Sequence, residues 1–139
     1  MENNHQKQSF VLDSYALLAY FLNEPGRLEV ELALRDAKLN RCILYLSDIN
    51  IGEVYYRIWK LKGKQIAEET LKFLFRLPLL FVPVDREFIL SAASWKGRYA
   101  ISYADAFVVE TAVRHQAVIV TGDPEFAAVK EVKIRKLKK

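Results

Sequence analysis

The chain has 139 residues, 52% of them hydrophobic, which fits one domain with enough apolar material to bury a true core. Its single cysteine, Cys42, excludes a disulfide framework within the chain and suits a reducing compartment. The net charge is +4, but residues 130–139 carry six Lys or Arg and one Glu, so the high pI reflects the C-terminal segment and not a broad cationic face.

The first eight residues are polar and are expected to form, with Ser9, a mobile N-terminus containing His5; residues 10–139 read as one domain with a basic C-terminal strand or tail. Phe10–Leu12 is a short buried strand, followed by a helix over Tyr15–Leu22. Pro25 suits the first position of a second helix reaching Leu39, although Leu28, Val30, Leu32 and Leu34 also alternate as a strand would. Cys42–Leu46 reads as a strand, and Asp48–Leu61 as a helix stopped by Gly63. A further helix over 65–76 ends before Pro78. Leu80–Val84 is a strand, and Pro83 places it at a sheet edge. Helices at 85–96 and 104–115, a strand at 117–121 and a last strand near 132–137 complete the chain. Such alternation predicts an α/β fold with a parallel sheet covered on both faces. The apolar stretches 10–22 and 77–84 are too short to span a bilayer, so a cytoplasmic protein is expected.

Four acids fall near the junctions of strands and helices: Asp13, Glu53, Asp105 and Asp123. A helix over 104–115 travels about 18 Å, and a strand over 117–121 returns about 16 Å, so Asp105 and Asp123 finish at one end of the domain. Asp13 joins them if its strand runs parallel to 117–121. Converging carboxylates repel and raise one another's pKa, and they become stable and useful when they hold divalent cations. Mg²⁺ suits such an oxygen set, and phosphodiester hydrolysis is the reaction that most needs it. Each acid also has a plain structural reading. Asp105 completes a capping box with Ser102, Glu53 pairs with Arg57 at i,i+4, and Asp123 belongs to a turn. Asp13 resists such a reading, because it lies among Leu12, Ala16, Leu17 and Leu18. Ser14 and Thr121 are candidate supporting hydroxyls or helix caps. His115 ends a helix and reads as structural. No glycine-rich phosphate loop and no G-x-S-x-G elbow is present.

The segments Val11-Leu12-Asp13-Ser14, Ser47-Asp48-Ile49-Asn50-Ile51-Gly52-Glu53-Val54, Ser102-Tyr103-Ala104-Asp105-Ala106 and Thr121-Gly122-Asp123-Pro124-Glu125-Phe126 together resemble the PIN-domain ribonucleases, most closely the VapC-type toxins of toxin–antitoxin pairs. The resemblance covers about residues 10–137 and implies a three-layer α/β/α fold with a parallel sheet of about five strands. It also implies that Asp13, Glu53, Asp105 and Asp123 are the metal-binding catalytic acids of a Mg²⁺- or Mn²⁺-dependent endoribonuclease, with Ser14 and Thr121 supporting them. A homodimer, an RNA substrate and a small cognate antitoxin are the implied partners.

Arg57, Lys60, Lys62 and Lys64 are candidates for steering phosphates, and they equally complement the dipole at a helix C-terminus. Tyr55 or Tyr56 is a candidate for stacking on a base, or a core or dimer residue. Exposed apolar side chains at Tyr15, Tyr20, Phe21 and Trp59 fit a dimer or antitoxin interface. Two other functions remain open to sequence: a catalytically silent PIN-fold module that binds RNA or protein, and a metal-dependent nuclease or phosphatase acting on another substrate.

Overall fold

The computed structural model describes residues 7–138; His5 and the rest of 1–6 lie outside the described residues. Five strands, β1 (Gln8–Leu12), β2 (Cys42–Ser47), β3 (Leu80–Val82), β4 (Val118–Thr121) and β5 (Ile134–Lys136), form one sheet in the order β3-β2-β1-β4-β5. Every neighbouring pair is parallel. The chain first builds outward from β1 through β2 to β3, then returns to the other side of β1 for β4 and β5. Strand order therefore reverses between β1 and β4, and a crevice opens beyond the carboxyl ends of strands at such a switch point.

The helices are α1 (Ser14–Phe21), α2 (Arg27–Lys38), α3 (Asp48–Lys62), α4 (Lys64–Leu74), α5 (Arg86–Arg98) and α6 (Tyr103–His115), with a 3₁₀ turn over Pro124–Ala128. Strand side chains alternate between faces, and the core divides accordingly. Phe10, Leu12, Leu44, Leu46 and Val120 pack with residues of α1 to α4. Val11 and Ile119, paired in register, pack instead with Val108, Val109 and Ala112 of α6 and with Trp95 of α5. Both faces of the central strands are buried, which explains their unbroken apolar runs.

Several sequence expectations shift. Gln8 and Ser9 belong to β1, paired with Cys42 and Ile43, so the segment expected to be mobile gives its last residues to the sheet. The second helix begins at Arg27 behind Gly26, and Pro25 precedes it instead of opening it. Gly26 has φ +96° and lies against Leu137, so the chain turns more sharply here than a helix start at Pro25 allows. Residues 28–34 are helical and not a strand: Val30 and Leu34, four apart, are buried, while Leu28 and Leu32 face solvent. The strand at 80 ends at Val82, before Pro83, and β3 is the edge strand that the proline implied. The basic C-terminal segment is not free, because β5 pairs with β4 and Leu137 is buried.

Candidate active site

The carboxyl ends of β1 and β4, the N-terminus of α6 and the second turn of α3 line one cleft of about 390 Å³. Asp13, Ser14, Glu53, Arg57, Asp105, Asp123 and Glu125 all face it. All four acids singled out by sequence are therefore together.

Asp13 follows β1 directly and is only 2% exposed. Its Oδ1 accepts the Ala16 N–H at 2.9 Å, so the carboxylate caps α1. Its Oδ2 accepts the Thr121 hydroxyl, and Thr121 Oγ1 in turn accepts the Asp123 N–H at 2.9 Å. One threonine thus ties the end of β1 to the turn that carries Asp123. Burial, above all, pushes the Asp13 carboxyl up to about 7, with the Asp123 and Glu53 charges adding to it against the lowering effect of the Thr121 and Ala16 donors.

Ser14 does not cap the first helix, since Asp13 does so. Its hydroxyl donates to Glu53 Oε1 and accepts from Asn50 Nδ2 at 2.7 Å. Asn50, one helical turn before Glu53, also approaches Glu53 Oε1 at 3.4 Å. Glu53 is held by these two groups instead of by Arg57, which among the described residues forms no ion pair.

Asp105 departs most clearly from its structural reading. Ser102 Oγ accepts the Asp105 N–H at 3.1 Å, half of the expected capping box. The reciprocal bond, to Ser102 N, comes at 2.9 Å from Glu125 Oε1. Asp105 is thereby released from capping, and its Oδ2 is buried with no donor to bond. Carboxylate oxygens of Asp105, Asp123 and Glu125 lie within 4.8 Å of one another. At this separation the three carboxylates can share a proton or a cation. Without a cation, burial first, then the bond to Glu125 and the charges of Asp123, Asp13 and Glu125, push the Asp105 carboxyl up to about 9. Glu125, bonded by Asp105 and by the Ser102 N–H, is held below its ordinary range.

Glu125 and Asn50 were not singled out by sequence. Glu125 stands two residues past Asp123 across Pro124, and Asp123 Oδ1 caps the 3₁₀ turn through the Glu125 N–H at 2.9 Å. That turn swings the Glu125 side chain back toward Asp105, which only the fold around it reveals. Of the basic residues proposed to meet phosphates, Arg57 lines the cleft and Lys60, Lys62 and Lys64 do not. Lys60 lies over the Tyr56 ring at 5.7 Å and Lys64 over Trp59 at 5.5 Å. His115 stacks on Tyr45 at 4.1 Å, away from the acids.

The sequence over residues 10–132 matches the family model of the PIN domain. The chain belongs to the PIN domain family. This PIN domain is similar in fold to VapBC2 from Rickettsia felis bound to a DNA fragment from its promoter, with 16% identity, TM-score 0.73, and 94% of this chain and 100% of that one covered. It is also similar to VapC20 of Mycobacterium tuberculosis, a sarcin-ricin loop cleaving toxin, at 15% identity and TM-score 0.73 over 91% and 98% of the two chains. FitAcB from Neisseria gonorrhoeae shows 22% identity and TM-score 0.64 over 90% and 95%. A comparison with curated proteins finds no match. Among the described residues of this PIN domain, no helix is long and apolar enough to cross a membrane.

Proposed function

We propose that this PIN domain is a divalent-metal-dependent endoribonuclease and the toxin of a type II toxin–antitoxin pair. The observation that carries the chemistry is the buried Asp105 carboxylate, whose Oδ2 is orphaned and which offers an oxygen within 4.8 Å of those of Asp123 and Glu125. Burying an acceptor without a donor costs free energy that a cation would recover. The all-oxygen donor set fits Mg²⁺ or Mn²⁺ and offers no soft ligand for zinc or copper.

In this reading Asp105, Asp123 and Glu125 hold the ion directly, and Asp13 and Glu53 complete its carboxylate surround. A bound divalent ion would supply charge neutralisation for the phosphate oxygens and a lowered pKa for the attacking water. The protein's own contribution is positional. Thr121 fixes the Asp13 carboxylate against the Asp123 turn, Ser14 and Asn50 fix Glu53, and none of these carboxylates needs to reorganise when the ion and substrate arrive. Arg57, four residues past Glu53 on the same face of α3, is placed to meet a phosphate on the open side of the cleft.

RNA as substrate and a small antitoxin as partner are supported by the VapBC and VapC structures that share the fold. Homodimer formation and a cytoplasmic location belong to the same reading. The test is cleavage of total cellular RNA by the purified, antitoxin-free chain in Mg²⁺, in Mn²⁺ and in EDTA, beside duplex DNA and a phosphomonoester. Discrete RNA fragments that need metal and vanish in Asp13→Asn are expected. Intact RNA in every condition, from folded protein, would overturn the nuclease reading.

A further inference from the structure

The cleft is not acidic on every side. Tyr15 and Leu18 of α1 form an apolar wall facing the carboxylates. Leu18 is buried, but Tyr15 is 39% exposed although both of its chain neighbours are buried. Its position in the chain brings it next to the chemistry, since it follows Asp13 and Ser14 directly.

The ring packs against the turn that carries Asp123. It lies on the backbone of Gly122, so close that a Cβ at that position would overlap the ring atoms Cε1, Cζ and Cδ1. Gly122 has no positive φ; the glycines that do are Gly26 and Gly63. The backbone at 122 therefore suits other residues, but a side chain there would displace the Tyr15 ring. Tyr15 and Gly122 form a matched pair, and the Thr121–Asp13 bond fixes the turn beneath the ring.

The protein's own charges do not favour a nucleic acid in this cleft. Asp13, Glu53, Asp105, Asp123, Glu125 and also Glu24 face it against a single cationic side chain, Arg57. A flat aromatic surface attracts a base whatever the charge of the site, because every base has a π-face. Tyr55 and Tyr56 do not take this role. Tyr55 donates its hydroxyl to Glu68 at 2.8 Å, Tyr56 lies beneath Lys60, and neither lines the cleft. Among the described residues Tyr15 is the aromatic side chain that does.

We propose that Tyr15 is the platform on which the base flanking the scissile phosphate stacks, a substrate-positioning residue seated on Gly122. The inference rests on the nuclease reading above and adds to it a single-stranded, unpaired nucleotide at the point of cleavage, because a base still within a duplex has no free face to offer.

The experiment compares the full chain with Tyr15→Phe, Tyr15→Leu and Tyr15→Ala on a fluorescently labelled single-stranded RNA containing a mapped cleavage site. Tyr15→Phe should retain the wild-type KM. Tyr15→Leu and Tyr15→Ala should raise KM roughly ten-fold with kcat little changed, the pattern of lost uniform binding. Abasic sites placed one at a time along the RNA should find a position that weakens the wild type and has no further effect on Tyr15→Ala. A leucine variant as good as the phenylalanine variant, or an alanine variant with wild-type KM, overturns the platform while the nuclease reading stands. If the wild type cleaves no RNA, the nuclease reading fails, and binding of a labelled single-stranded RNA in Mg²⁺ decides whether Tyr15 stacks on a base. Weaker binding by Tyr15→Ala than by wild type and Tyr15→Phe then supports it. Equal binding by all of them, or no binding by the wild type, overturns it.

Discussion

Helix α6 carries two buried acids five residues apart, and their surroundings are opposite. Glu110 is 7% exposed and Asp105 is 8% exposed. Glu110 Oε1 accepts the Trp95 indole N–H at 2.7 Å, and its Oε2 accepts Arg114 Nε at 2.6 Å. Arg114 in turn spreads over the Phe88 ring at 4.4 Å. That carboxylate is fully compensated and locks α6 against α5. Asp105, with the same burial, has an oxygen without a donor and three other acids acting on it. Burial alone therefore does not mark a functional acid; burial without compensation does. The two ends are also complementary. A helix anchored along its C-terminal half can hold an unfavourable charge cluster at its N-terminus without moving to relieve it.

Exchanging the acids for amides separates them most sharply. Asp105→Asn should lower RNA cleavage by roughly 100-fold or more while the protein remains folded, as circular dichroism and melting would verify. A folded Asp105→Asn variant with full activity would remove this residue from the site.

The next largest effect is on metal-free stability against pH. Asp13 and Asp105 have folded-state values raised from the ordinary carboxylate range to about 7 and about 9, so above pH 4 the folded state binds more protons than the unfolded one. Stability is then full at or below pH 4 and falls as pH rises, by on the order of 4 kcal/mol for Asp13 alone between pH 4 and 7. The Glu125 shift runs the other way, but its contribution is present above the ordinary glutamate range and lost only as pH falls below it, so it leaves the decline at higher pH unchanged. Melting in EDTA from pH 5 to 8 should show the decline, and Mg²⁺ or Mn²⁺ should reverse it. A melting temperature flat across this range would mean that the acids are not strained.

Glu110→Ala tests the compensated end. It strands Arg114 and the Trp95 N–H and should cost about 3 kcal/mol in urea unfolding, yet cleavage well below the melting point should persist. Smallest is the contact beneath Tyr15. Gly122→Ala should destabilise by about 2 kcal/mol through overpacking, and adding Tyr15→Ala in the same chain should restore most of it. Lack of rescue would show that another neighbour forbids a side chain at 122.

The element order, the parallel sheet, the edge position of β3 and the four acids were all legible in the sequence. They depend on local rules: buried strands are continuous apolar runs, helices bury residues four apart, and a strand and helix of matched length return the chain to one edge. Tertiary structure alone decided how the acids are grouped and which side chains hold them. Thr121 meets Asp13 across 108 residues, and Ser14 meets Asn50 across 36. Glu125 takes over the half of the cap in which Asp105 would have met the Ser102 N–H, leaving Asp105 Oδ2 without a donor, and the aromatic surface in the cleft is Tyr15 instead of Tyr55 or Tyr56. The reason is that propensity and periodicity act over a few residues. The compensation of a buried charge depends on strand order and register, which bring distant segments within hydrogen-bonding reach only once the sheet has formed.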